Sequence, residues 1–77
     1  MRRHHDVHVC ADPHVYLWRV RRGGRTISRH RTQRNAVLTA RRAARRSRVD
    51  LVTHARDGRI RSKDRYGNER TTRDTEH

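Results

Sequence analysis

The sequence predicts an α+β domain with the element order β-β-β-α-β-β, in which a small antiparallel sheet carries one helix packed across one face. Three observations support this fold class. Short stretches of alternating apolar and polar residues, typical of half-buried strands, flank a single helical segment. That segment repeats alanine at helical spacing. Gly-Gly and Asp-Gly pairs separate successive strand segments, as in tight hairpins.

Three strand segments precede the helix, at residues 7–10, 15–21 and 26–30. The first ends at Asp12-Pro13, because proline cannot donate to a sheet ladder. In the second, Tyr16, Trp18 and Val20 share one face at a spacing of two. Trp18 is the largest apolar side chain of the sequence, so we expect this face to point into the core.

Two turns are predicted from residues that tolerate positive φ. Gly23-Gly24 suits a tight hairpin between the second and third strands. Asp57-Gly58 interrupts the segment 49–61, which reads as a strand, a two-residue turn and a second strand. We expect a type I′ turn here, with both central residues at positive φ.

The helix is predicted from about residue 33 to about residue 48, with Thr32 as its N-cap and Asn35 as the residue whose N–H is capped. One narrow stripe faces the sheet; it consists of Ala36, Val37, Ala40, Ala43, Ala44 and Ser47. A stripe of small residues allows the helix backbone to approach the sheet closely. A second stripe, expected on the solvent side, contains Arg34, Arg41, Arg45 and Arg48.

Length and composition indicate one small domain with a thin core. The chain has 77 residues, of which 30% are hydrophobic. We expect a disordered basic start at residues 1–6, one domain at residues 7–67 and a flexible tail at residues 68–77. The sequence contains no run of eighteen apolar residues and no signal peptide, and Cys10 is its one cysteine. These features predict a cytoplasmic protein without a disulfide and without membrane contact.

The strongest functional signal is electrostatic. The net charge is +13, and residues 1–48 hold 14 basic and 2 acidic residues, against 7 and 6 in residues 49–77. Such a charge distribution favours nucleic acid as the partner, held through its phosphates. Contact with a duplex backbone is favoured over stacking on single strands, because few aromatic residues are free. The predicted binding residues are Arg19, Arg21, Arg22, Arg25, Arg29, Arg31, Arg34, Arg41, Arg45 and Arg48.

Alternatives remain at this point. A GC-rich genome would also enrich arginine at solvated positions. The domain could instead be a protein-interaction module, either a homodimer or an inhibitor that docks on an acidic protein. An enzyme is the least favoured class, and we expect no cofactor, metal or small-molecule substrate. His8 beside Cys10 is a weak nucleophile pattern, and His4, His5 and Asp6 lack the spacing of a zinc site.

The chain resembles a family of small bacterial proteins known as domain of unknown function 2188. The most specific part is the block from His54 to Asn68, with Arg-Asp-Gly-Arg-Ile, Lys-Asp and Tyr-Gly-Asn in succession. His8-Val9, the Trp18-Arg19-Val20 segment and Thr32 with the helix alanines also match. Two features depart from the family: Asn35 stands where a glutamate is usual, and the outer side of the helix is almost purely arginine. The resemblance implies no established activity.

Overall fold

The computed structural model describes residues 5–67 and contains six regular elements. They are β1 (Val7–Ala11), β2 (Trp18–Arg22), β3 (Arg25–His30), α1 (Gln33–Ser47), β4 (Leu51–His54) and β5 (Ile60–Asp64). The predicted element order and α+β class are confirmed. The predicted disordered start and flexible tail lie largely outside the described residues. Asp6, which was assigned to that start, accepts a hydrogen bond from the backbone N–H of Asp50.

The five strands form one sheet in the order β3-β2-β1-β4-β5. Three of the four pairings are antiparallel, whereas β1 and β4 run parallel, with Val7 opposite Leu51 and Val9 opposite Thr53. The purely antiparallel sheet that was predicted is therefore wrong at this pair. Its cause is the crossover through α1, which returns the chain to the edge of β1 that β2 leaves open.

The core lies between the sheet and α1. The helix contacts β1, β2, β3 and β4, and β5 extends beyond it. Ala36, Ala40 and Ala44 are fully buried against the sheet, as the alanine stripe predicts. Trp18 is only 8% exposed, so its predicted place in the core is confirmed. The aliphatic part of the core comes from the strands and the loop before β4: Val7, Val9, Val20, Val49 and Leu51.

Both ends of α1 are capped. The Thr32 hydroxyl accepts a hydrogen bond from the N–H of Asn35 at 3.1 Å, as predicted. At the other end Arg48 adopts the left-handed conformation, and its N–H reaches the carbonyl oxygens of Ala44 and Arg45. These contacts satisfy helix-terminal groups that would otherwise lack intrahelical partners.

The two predicted turns have different outcomes. Gly23 and Gly24 both have positive φ, 59° and 80°, and join β2 to β3 as expected. In the second turn Gly58 has a φ of 97°, but Asp57 does not have positive φ, so the type I′ turn is wrong. The turn closes through Gly58 N–H to Ala55 O, and Ala55 N–H bonds Arg59 O. The loop therefore has three residues, one more than predicted. In such a loop a single position needs the left-handed conformation, and glycine occupies that position here.

Tyr16 is a further correction. It was predicted to share the core face with Trp18, but β2 begins only at Trp18 and Tyr16 is 86% exposed. Asp12 explains the late start, since its carboxylate accepts the N–H groups of His14 and Val15 and holds the preceding loop in a compact turn. Among residues 5–67, no helix has both the length and the apolar character that crossing a membrane requires.

Candidate functional site

The sheet has one face that no helix covers, and we call it the open face. Strand alternation sends Val7, Val9 and Val20 toward α1, so their neighbours along the strands point the other way. The cross-strand register then brings polar side chains from all five strands to the open face. The titratable ones are His8, Cys10, Arg19, Arg21, Arg29, His54 and Lys63.

These side chains form two rows across the strands. In the first row Arg21 pairs with His8, His8 with Val52, and Val52 with Lys63. In the second row Arg29 pairs with Arg19, and Arg19 with Cys10. Directly opposed like charges destabilise a sheet, so the Arg19–Arg29 pair is an electrostatic cost that a bound anion would relieve.

Two arginines of the open face have hydrogen-bonding capacity to spare. The Nε atoms of Arg19 and Arg21 are buried but find no acceptor within residues 5–67. The Nη2 atom of Arg21 donates to the carbonyl oxygen of Gly24 at 2.6 Å, which fixes the position of the guanidinium group. A buried donor without an acceptor costs about 1–3 kcal/mol, so the fold carries this cost at two arginines of the open face.

Few carboxylates compete for this face. Of the ten predicted binding arginines, only Arg29 pairs with a carboxylate within residues 5–67, Nε to Asp12 at 3.7 Å. The pKa of Asp12 is lowered, mainly by the N–H of His14, then by that of Val15 and by the charges of Arg19 and Arg29. Lys63 lies 3.8 Å from Asp50. Pairs with an exposed cation at these distances are weak, so the open face keeps most of its positive charge.

The centre of the open face holds a histidine pair that the sequence did not predict. His8 Nδ1 and His54 Nε2 are 3.0 Å apart, with ring centroids at 5.3 Å and an angle of 20° between the rings. His54 Nδ1 also lies 3.3 Å from the carbonyl oxygen of Gly58. His54 thus also contacts the backbone of the β4–β5 turn. The partner His8 is 46 residues away in the sequence, so no local pattern could have identified it.

The surroundings of His8 favour its neutral form over its charged form. Its pKa is lowered, chiefly by burial, and further by His54, Arg21 and Lys63; Asp6 acts in the opposite direction. The positive charges of the open face thus disfavour another proton beside them.

A depression of about 340 Å³ lies across the open face. Its lining includes the histidine pair, Cys10 and Arg21, and it extends to the turn formed by Arg22, Gly23 and Gly24. Arg25 and Arg31 are exposed at the two ends of β3. The predicted arginine hairpin therefore places Arg19, Arg21 and Arg29 on one face, with Arg22 and Arg25 at its edge.

The helix arginines lie elsewhere. Arg34 and Arg41 line a groove of about 520 Å³ between α1 and β5, together with Leu38 and Arg61. The groove exists because β5 extends past the helix. The Nη1 atom of Arg61 donates to the side-chain oxygen of Gln33, which joins the two walls of the groove.

The last two predicted arginines lie at the C-terminal end of α1. The guanidinium carbon of Arg45 lies 5.3 Å from the Tyr66 ring centroid, and Arg48 caps the helix. The ten predicted residues thus do not form one surface: the hairpin arginines lie on and around the open face, two helix arginines line the groove, and Arg45 and Arg48 lie at the C-terminal end of α1.

The structure also places the weaker candidate residues of the sequence analysis. Cys10 is a half-buried free thiol. Within the described part of the chain, no three His, Cys, Asp or Glu side chains are placed to hold a metal ion. Asp57 accepts the N–H of Arg59, in keeping with a role in the turn.

One aromatic cluster also escaped sequence analysis. The Arg56 guanidinium carbon lies 4.9 Å from the Trp18 ring centroid and 5.5 Å from that of Tyr16. Arg56 thereby links the β4–β5 turn to the start of β2 through cation–π contacts. The contact depends on loop packing, which strand periodicity does not encode.

Comparison with known proteins identifies a family without adding a chemical activity. No curated protein and no solved structure matches the chain. A family model matches residues 7–66, which span the whole sheet and helix and include both histidines of the pair. The chain belongs to the DUF2188 family, described as uncharacterized protein conserved in bacteria.

Proposed function

We propose that this chain binds nucleic acid, contacting backbone phosphates through the open face of the sheet. The observation that carries the proposal is the set of three arginines, Arg19, Arg21 and Arg29, on adjacent strands of an uncovered face. Two of them keep a buried Nε without an acceptor within residues 5–67. A planar guanidinium presents its donors in a fork that matches two phosphate oxygens.

The width of the open face favours a duplex. Arg21 and Lys63 are three strand spacings apart in the first row, which corresponds to about 14 Å. The major groove of B-form DNA is about 12 Å wide. Cations at the two ends of the row are therefore spaced to meet phosphates on either side of a groove.

The aromatic residues support contact with the backbone rather than base stacking. Trp18 is buried in the core, and Tyr16 lies beside Arg56. Tyr66 lies beside Arg45 at the other side of the molecule. Neither the tryptophan nor the tyrosines of the described residues are thus grouped with the arginines of the open face. Single-strand binding proteins usually combine such rings with a basic groove.

The edge strands of the sheet argue against a homodimer formed by strand pairing between two copies of the chain. Each edge strand contains a bulge, since Ile27 in β3 and Arg61 in β5 have no partner in the register. Bulges and charged residues on edge strands discourage pairing with another chain. An acidic protein remains the alternative partner that the same charges would attract.

The test is a salt titration of binding to a fluorescently labelled 20-base-pair duplex, followed by anisotropy. We expect the affinity to fall steeply between 50 and 200 mM NaCl, with a log–log slope of about −0.9 for each phosphate neutralised. A single-stranded oligonucleotide of the same length serves as the comparison ligand. Undetectable duplex binding at micromolar protein and low salt, or binding insensitive to salt, would refute the proposal.

Matched variants locate the interface. The double variant Arg21→Gln/Arg29→Gln should weaken duplex binding and reduce the salt slope by about 2, one unit for each lost phosphate contact. The control Arg42→Gln/Arg46→Gln removes the same charge from exposed helix positions outside both surfaces. Equal losses in the two double variants would show that net charge, and not the open face, drives binding. The variant Arg34→Gln/Arg41→Gln tests the groove in the same way.

A further inference from the structure

We infer that the depression on the open face is a phosphate subsite in which the His8–His54 pair takes up one proton when the phosphate binds. This inference rests on the proposed function for the source of the phosphate, a nucleic-acid backbone. It adds the chemistry of the subsite and a pH dependence that the arginines alone would not produce.

The hydrogen bonds of the pair assign its protons. The carbonyl oxygen of Gly58 can only accept, so the neighbouring Nδ1 of His54 carries the hydrogen. Neutral His54 then has its lone pair on Nε2, and the hydrogen between the two rings belongs to His8 Nδ1, which donates. The remaining lone pair of the two rings is on His8 Nε2.

This arrangement accepts one proton without losing a contact. Protonation of His8 at Nε2 leaves its Nδ1–H donating to His54, and that hydrogen bond becomes charge-assisted. A second proton would have to enter at His54 Nε2, where it would abolish the bond and set two N–H groups of imidazolium rings against each other, with their nitrogen atoms 3.0 Å apart. The pair is therefore built to carry a charge of zero or one.

Because of the surrounding charges, the uptake of this proton by His8 depends on a bound anion. His8 on β1 faces Arg21 of β2, His54 of β4 and Lys63 of β5, with Asp6 before β1 as the one opposing carboxylate among these groups. In the free protein the cations and burial oppose protonation. A phosphate in the depression would reverse the local potential, and protonation of His8 would become favourable.

The depression has the donors and the room for this ligand. Arg21 and Arg22 line it, and the buried Arg21 Nε lacks an acceptor within the described residues. Its volume of about 340 Å³ corresponds to roughly ten water molecules at about 30 Å³ each. That space accommodates a phosphate group with part of its hydration shell.

The first experiment measures duplex affinity from pH 5.5 to 7.5 at constant ionic strength. We expect tighter binding at low pH, by about tenfold for each unit by which the bound phosphate raises the pKa of His8. His8→Gln should abolish most of this dependence, because glutamine can donate to His54 but does not titrate. The control His14→Gln removes an exposed histidine of the β1–β2 loop and should leave the dependence intact.

A second experiment separates the subsite from the proposed function. Imidazole resonances of the wild-type protein are titrated with pH, with and without inorganic phosphate and without nucleic acid. We expect phosphate to raise the pKa of His8, and the resonances of exposed His14 serve as the internal control for effects of phosphate outside the depression. This measurement needs no variant, so it remains decisive if His8→Gln fails to fold.

The outcomes discriminate between the two claims. Duplex binding that does not change with pH, or that keeps its pH dependence in His8→Gln, overturns the inference and leaves the proposed function standing. Absence of duplex binding at every pH refutes the proposed function. In that case a phosphate-dependent His8 pKa would still establish the subsite, with free phosphate as its ligand, and an unchanged pKa would refute it.

Discussion

Arg48 shows how a single residue can serve local structure where sequence analysis predicted ligand contact. Its φ of 56° and ψ of 49° place it in the left-handed region, where a side chain beyond glycine is strained. The position follows the last helical residue, and its backbone N–H closes the helix. The chain therefore carries strain at a position where glycine is the usual residue.

Replacing Arg48 with glycine should stabilise the protein by about 1 kcal/mol, since the strain of the left-handed conformation disappears. Urea denaturation followed by circular dichroism measures the change. The control is Arg48→Ala, which removes the same charge and keeps the Cβ atom, and should give no gain. Equal stabilisation by both substitutions would assign the effect to charge repulsion instead of backbone strain.

At the residue scale, the sequence predicted what a local pattern can specify. Trp18 and Thr32 lie as expected, since strand alternation and a cap depend on near neighbours. The His8–His54 pair and the Arg56 contacts depend on which strands and loops meet in space. No spacing rule connects two residues 46 positions apart, so the centre of the candidate site could not be predicted.

At the scale of elements, the alanine stripe of α1 sets how closely the helix approaches the sheet. Ala36, Ala40 and Ala44 have no exposed surface and contact the same core as Val9 and Val20. Ala40 lies at the middle of the stripe. A larger side chain there would have to push the helix away from the sheet or adopt a strained rotamer.

Ala40→Leu should therefore destabilise the protein by about 1–3 kcal/mol, as is typical when a packed core is overfilled. The free energy of unfolding from urea titration checks this value. Arg42→Leu is the control, because it introduces the same side chain at an exposed position of the same helix and should change stability by less than about 0.5 kcal/mol. A neutral Ala40→Leu would mean that the helix does not pack against the sheet as described.

The pairing of elements was harder to predict than the elements themselves. Alternation and turn residues located the strands to within a few positions, apart from the late start of β2. They did not show that β4 inserts beside β1 in a parallel orientation. That choice depends on the path of α1 across the sheet. It also determines the site, because the β1–β4 pairing brings His54 next to His8.

At the scale of the whole molecule, the dominant property is unbalanced charge. Twenty-one lysine and arginine residues face eight acidic ones, for a net charge of +13. The ion pairs within residues 5–67 join side chains at 3.7–3.8 Å, and the cation of each pair is exposed. Such pairs contribute little, whereas like-charge repulsion within a compact state opposes folding.

Salt should consequently act in opposite directions on folding and on binding. Raising NaCl from 50 to 500 mM should increase the Tm of the free protein by several degrees, because screening at these concentrations reduces repulsion between surface charges. A gain of 1 kcal/mol corresponds to about 4–8 °C for a domain of this size. The same change in salt should weaken duplex binding, since releasing the condensed counterions gains less entropy at high salt.

Differential scanning fluorimetry of the free protein and of its Arg42→Gln/Arg46→Gln variant measures the first effect. The variant loses two charges, so it should have a higher Tm at low salt and a smaller increase on adding salt. A Tm that falls as salt is added would mean that ion pairs contribute more than repulsion costs. The positive charges of the arginines would then be balanced by ion pairs within the fold, and a bound polyanion would relieve no repulsion.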